Sequence, residues 1–252
     1  CWWYNLLFRI LMLGLGSSLT TGGVSSEWTP NDISSLIHWY KFDTGVDTFY
    51  VAGADNYIIT QWTDQKGSNH IVDTMTPANT SGYNTTHPKQ DQTTKEIVFD
   101  HGGDLLDLTS HLSLGDFAIY LRVSFNDFGD FIFESPDGNN FLKVQTSSEA
   151  RMKMSGARHD FTLPITLSAD TKYNVGYERA DDGSGTLSTY IDNSAASQSG
   201  TGDGTEALSN TLDLEQMGNP ATTMRITEIV ICDEALSSSD RANLNTYLSA
   251  IN

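Results

Sequence analysis

From residue 28 onward the chain is built of short runs in which apolar and polar residues alternate. Clusters of Gly, Asn, Asp, Ser and Thr interrupt them every dozen residues or so, which is turn chemistry. Residues 117–125 read as one strand. Residues 131–134 and 141–145 flank the turn 135–140 and predict a hairpin. Strands are also predicted at 151–154, 159–163, 212–218 and 224–232, with a second hairpin formed by 173–179 and 186–192. Segment 193–205 reads as a long loop. Two helical pieces stand out. Residues 29–36 read as a short capped turn. Beyond Ser237, Leu244, Tyr247, Leu248 and Ile251 recur on one helical face, and Ser237 with Asp240 resembles a capping box. Many short strands with Gly-rich turns predict an all-β fold: an antiparallel β-sandwich of jelly-roll type, closed by a C-terminal helix.

The first 26 residues are different material. Residues 1–13 are strongly apolar for about a dozen residues, whereas a membrane-spanning helix needs roughly 20. A cleaved signal peptide fits poorly, because a basic start is missing and Arg9 interrupts the apolar run. Cys1 could carry a lipid, although Trp2-Trp3 is bulky for such a tether. The preferred reading is a short apolar helix over 1–16 that anchors the chain to an assembly. Trp2, Trp3, Leu6, Leu7, Ile10 and Leu11 would form its interface, since aromatic residues, Met and Arg are enriched at interface cores. Residues 17–28 then form a Gly/Ser/Thr linker, and 29–252 form one domain.

Charge sharpens this division. The chain of 252 residues holds 14 Lys and Arg against 32 Asp and Glu, a net charge of −18. Residues 1–26 hold Arg9 and no acid, so the remainder carries −19. Such a body has no general attraction for nucleic-acid phosphates or for an anionic membrane surface. The two cysteines are Cys1 and Cys232. Cys232 ends the apolar run 229–232 and reads as a buried thiol. The two form neither a disulfide framework nor a zinc site.

Several segments carry a family resemblance. Leu36-Ile37-His38-Trp39-Tyr40-Lys41-Phe42-Asp43 resembles the opening strand of laminin-G-like, concanavalin A-like domains. Gln61-Trp62-Thr63-Asp64-Gln65-Lys66-Gly67-Ser68-Asn69-His70 resembles the segment that follows it there. Ile97-Val98-Phe99-Asp100 resembles a later strand and turn, although His101 stands where that family has Gly. Residues 226–237, then Asp240-Arg241, Leu244, Tyr247 and Leu248, are similar to its last strand and closing helix. The resemblance covers about residues 30–250 and implies two packed antiparallel sheets. Domains of this appearance occur in secreted bacterial proteins and in accessory virion proteins of tailed phages, marine ones among them. The apolar peptide, linker and single lectin-like domain look most like the phage version. The implied partners are capsid or tail proteins, further copies of the chain and host-surface glycans, with the domain exposed on the virion. The alternative is a secreted or lipid-anchored bacterial carbohydrate-binding module.

Candidate chemistry is sparse. Laminarinase-like glycosidases of this fold carry E-x-D-x-E or E-x-D-x-x-E along one strand, and no such segment exists here. Glu134, Glu149, Glu178, Glu206 and Glu228 are scattered, and no G-x-S-x-G elbow occurs. The chain is expected not to be an enzyme and to have no catalytic residues. His70, His101 and His159 read as turn or surface residues. Calcium is the one cofactor kept as a candidate, through Asp181, Asp182, Asp203 and Glu206, although turn formation accounts for these acids without a metal. For glycans, Trp39 and Trp62 lie in core-like segments. Tyr50, Tyr57 and Tyr83 lie in loop-like stretches and are the candidate contacts.

Overall fold

The computed structural model describes residues 27–51, 56–73, 87–100, 103–218 and 223–251. The predicted anchoring helix with Trp2, Trp3, Leu6, Leu7, Ile10 and Leu11 lies outside the described residues, as do Tyr83 and His101. A 3-10 turn at Pro30–Asp32 leads into β1 (Leu36–Lys41), β2 (Val46–Val51), β3 (Asn56–Trp62), β4 (Ile71–Val72), β5 (Lys89–Asp91) and β6 (Glu96–Phe99). Then come β7 (Leu105–Leu114), β8 (Phe117–Phe125), β9 (Phe131–Glu134), β10 (Phe141–Thr146), β11 (Glu149–Met154) and β12 (Ala157–Thr162). The chain ends with β13 (Tyr173–Ala180), β14 (Thr186–Ile191), β15 (Ser194–Ala195), β16 (Ser197–Ser199), β17 (Leu212–Gly218), β18 (Met224–Cys232) and helix α1 (Ser238–Ser249).

Strand β18 is the spine of the first sheet. One of its edges pairs with β6 and then β1, the other with β8, followed by β13, β14 and β15. The second sheet runs β2, β3, β4, β7, β17, β9, β10, β11, β12, β16. All these pairs are antiparallel. Strand β5 bonds both β3 and β6, so it turns a corner from one sheet into the other.

Burial explains why some runs alternate and others do not. In β10 and β11 every second side chain is buried, because one face of the second sheet meets water. In β8, β13 and β18 nearly every side chain is buried. Their inner faces meet the second sheet around Trp62, Phe99, Phe117, Phe133 and Tyr177. Their outer faces lie under Trp39 and helix α1, which supplies Leu244 and Leu248. Cys232 belongs to that outer cluster, and burial pushes its thiol up to about 12, so it is inert.

Helix α1 is fastened by one buried ion pair. Arg241 donates from Nε and Nη2 to Glu178 at 3.0 and 2.8 Å, while Tyr120 Oη donates to the same carboxylate at 2.6 Å. The Tyr120 ring lies over Gly176, where an added Cβ would stand 2.2 Å from it. The helix starts at Ser237, whose Oγ accepts from the Asp240 amide at 3.1 Å. The Asp240 carboxylate accepts from the Ser237 hydroxyl, so the reciprocal half of the expected capping box is replaced by a side-chain bond.

The family-like residues around Asp64 form a knot. Its carboxylate accepts from the amides of Trp39 and Lys66, both at 3.0 Å, and contacts His38 Nδ1 at 2.6 Å. Burial alone would raise its pKa, but these bonds outweigh it and hold the carboxyl at about 2. Asn69 continues the knot to β7 through the backbone of Ser110. Gly67 is required there, since a Cβ would meet Asp64 Oδ2 at 2.7 Å and the Ile37 carbonyl at 2.9 Å.

Three expectations change. Tyr50 and Tyr57 lie in strands β2 and β3, directly opposite each other, and not in loops. Aromatic residues favour strands through such cross-strand pairing. Segment 193–205 contains β15 and β16, and β16 completes the second sheet beside β12. His159 is buried, with Nε2 3.2 Å from Glu206 Oε2, a contact that ties the 203–206 turn to β12.

Candidate functional site

Two sequence-predicted contacts come together at the β2–β3 hairpin. Tyr50 and Tyr57 are 48% and 38% exposed, and their ring centroids lie 5.1 Å apart. Trp39 and Trp62 are core residues, as expected. Tyr57 also walls a cleft of about 410 Å³ at the corner where β5 joins the sheets. The corner follows from register: Tyr57 stands opposite Gln90, Lys89 opposite Val98, and Val98 opposite Arg225. Strand β3, the β5–β6 hairpin and β18, three parts of the chain distant in sequence, thereby bring Tyr57, Lys89, Asp91, Asp100 and Arg225 around one depression.

The polar groups of the cleft are held by one another. Lys89 Nζ donates to both oxygens of Asp100, at 3.0 and 2.9 Å. Arg225 Nη1 lies 3.5 Å from Asp91 Oδ2. Asp91 also accepts from the amides of Thr93 and Thr94 at 2.8 and 3.0 Å. Partial burial would raise its pKa, but the amides of Thr94 and Thr93, with Arg225, hold it below the usual carboxylate range. Asp91 is therefore an acceptor at neutral pH and not a proton donor. An exposed aromatic face beside fixed donors and acceptors suits a ligand with an apolar ring face and many hydroxyls.

The other acids are engaged elsewhere. Glu178 is held by Arg241 and Tyr120, and Glu149 pairs with Arg151. Glu228 lies buried behind Trp39, whose Nε1 donates to it at 2.5 Å. Burial lifts the Glu228 carboxyl to about 7 against the bonds from Trp39 and Tyr247. Asp182 and Asp203 cap their own turns through Thr186 and Thr205. Among the described residues no group of three His, Cys, Asp or Glu side chains is placed to hold a metal ion. No described helix is long and apolar enough to cross a membrane.

Sequence reasoning missed Lys89, Asp91 and Arg225. Strand β5 is three residues long and its hairpin 89–99 is mostly polar at its start, so neither periodicity nor a motif marks it. Arg225 lies in β18 close to Thr227 and Glu228, so its charge alone does not single it out.

No protein-family model matches the sequence, and no curated protein matches it. Solved structures do match. Trypanosoma rangeli sialidase in complex with sialic acid aligns with a TM-score of 0.54 at 12% identity, covering 87% of this chain and 34% of that one. A second structure of that sialidase aligns with a TM-score of 0.52 at 13% identity and the same coverage. Botulinum neurotoxin type C, whose cell entry depends on interaction with two ganglioside molecules, aligns with a TM-score of 0.52 at 13% identity, covering 86% and 52%. The chain thus spans about a third of the sialidase and half of the toxin chain. At this identity the likeness is one of fold.

Proposed function

We propose that the folded body is a non-enzymatic carbohydrate-binding domain, with the Tyr57 cleft as its contact, and that the whole chain is an accessory virion protein displaying it. One observation carries the binding reading: an exposed tyrosine pair stands beside a cleft whose donors and acceptors are already oriented by one another. Sugar rings stack on aromatic faces, and their hydroxyls need preset partners to replace water. Two proteins of like fold support it, one by its complex with sialic acid and the other by its dependence on gangliosides. Asp91 is held by Arg225 and two backbone amides and Asp100 by Lys89, so the two acids are each engaged separately, which supports binding without hydrolysis. Tyr57→Ala should weaken binding on a glycan array at least tenfold while leaving the melting temperature within a degree or two. Equal binding by both proteins would reject the cleft.

The virion reading rests on segment 1–26, whose apolar start holds Arg9 as its one charged residue, joined to a remainder at −19, together with the phage-like resemblance. One end is suited to burial in an assembly and the other to solvent. Deleting residues 2–16 should abolish incorporation into particles, scored by mass spectrometry of purified virions. Unchanged copy number would reject the anchor.

A further inference from the structure

The Tyr57 cleft does not end at Arg225. A second depression of about 820 Å³ adjoins it, and the two share Asp91, Thr93 and Arg225 as common walls. The join is a cross-strand row. Lys89, Val98, Arg225 and Ser124 stand opposite one another on β5, β6, β18 and β8. Residues opposite each other in a ladder share a face of the sheet. Lys172, which lines the second depression, immediately precedes Tyr173, the partner of Val123, and so extends the row by one strand. From β5 to β13 the row spans five strands, roughly 19 Å at ~4.8 Å per strand, and Tyr57 of β3 stands at its β5 end. That is room for several sugar rings in line.

Charge along this path is internally balanced. Lys89 is held by Asp100, Arg225 lies between Asp91 and Glu96, and Lys172 Nζ is 3.2 Å from Glu96. Lys95, exposed at the β5–β6 turn, has no ion-pair partner among the described residues, but a single exposed lysine is heavily screened. An acidic sugar would therefore meet cations already neutralised, on a body whose net charge repels it. Hydroxyls, by contrast, can add to these paired groups without displacing any charge.

We infer that this groove takes an extended, uncharged oligosaccharide, running from Tyr57 across Arg225 to Asn126 and Lys172. This rests on the glycan-binding reading above and departs from the acidic sugars of the structural neighbours. The test is an array of neutral glucan, mannan and galactan fragments of two to six sugars, beside sialylated, uronic-acid and sulfated glycans. The intact chain and its Tyr57→Ala variant are both applied, and the strongest neutral series is followed by calorimetry.

Neutral fragments of four or more sugars should lead the array, with the hexasaccharide at least tenfold tighter than the disaccharide. Tyr57→Ala should weaken every length. Asn126→Ala, at the exposed far end, should weaken only the longer fragments. Acidic glycans leading the array, or di- and hexasaccharides binding equally, would overturn the extended neutral ligand while leaving the glycan reading intact. No glycan bound above the level of Tyr57→Ala would overturn that reading and this inference together.

Discussion

Two carboxyls of the same knot-and-spine region are driven in opposite directions, and their surroundings explain why. Asp64 is buried but accepts several hydrogen bonds, so its charged form is favoured and its pKa falls to about 2. Because its folded value lies below the unfolded one, its contribution is present above about pH 4 and is lost as pH falls toward 2. Asp64→Ala frees the amides of Trp39 and Lys66 and should cost about 3 kcal/mol in urea unfolding at pH 7; a loss below half a kcal/mol would contradict the knot. Glu228 is buried with fewer donors, so its neutral form is favoured up to about pH 7. Its folded pKa is raised, so its contribution is full below about pH 4.5 and is lost as pH rises through 7. At pH 8.5 the buried charge costs about 3 kcal/mol on this reckoning. Glu228→Gln should therefore raise the melting temperature at pH 8.5 and leave it nearly unchanged at pH 4.5. At this scale the sequence was readable for Trp39 and Trp62 as core, but Asp64 and Glu228 look alike until their donors are placed.

Among elements, the clearest sequence signal was the closing helix, whose apolar spacing put Leu244 and Leu248 on the buried face. What the spacing could not show is that Arg241 reaches Glu178 on β13. Arg241→Ala would leave Glu178 buried without its counter-charge, with only the Tyr120 hydroxyl bond remaining, and should cost about 3 kcal/mol by chemical denaturation. Arg241→Lys should recover part of this, because a lysine cannot make the two-pronged contact. The hairpins β9–β10 and β13–β14 were also readable, since their turns carry Asp-Gly chemistry between alternating runs. Strands β4, β5, β15 and β16 were not. They are two or three residues long and owe their conformation to neighbours in the ladder and not to local pattern. The candidate site suffers from that same blind spot, because β5 supplies Lys89 and Asp91.

For the molecule as a whole, near-continuous burial in β8, β13 and β18 and alternating burial in β10 and β11 report one architecture: a sheet covered on both faces packed on a sheet covered on one. Only part of this is legible in the sequence, because β13 buries Asn174, Glu178 and Arg179 among its apolar residues and so alternates while covered on both faces. The cleft required tertiary structure, since Tyr57 and Arg225 are separated by most of the chain and meet only at the corner where β5 joins the sheets. The charge of −19 beyond residue 26 gives no general attraction for nucleic acid, and the paired cations of the groove support the proposal of an uncharged ligand. The measurement closest to the centre of this account is calorimetric titration of the best array glycan into the intact chain and into Tyr57→Ala. The account predicts at least a tenfold weaker Kd for the variant with an unchanged melting temperature. Equal affinity in the two proteins would contradict it.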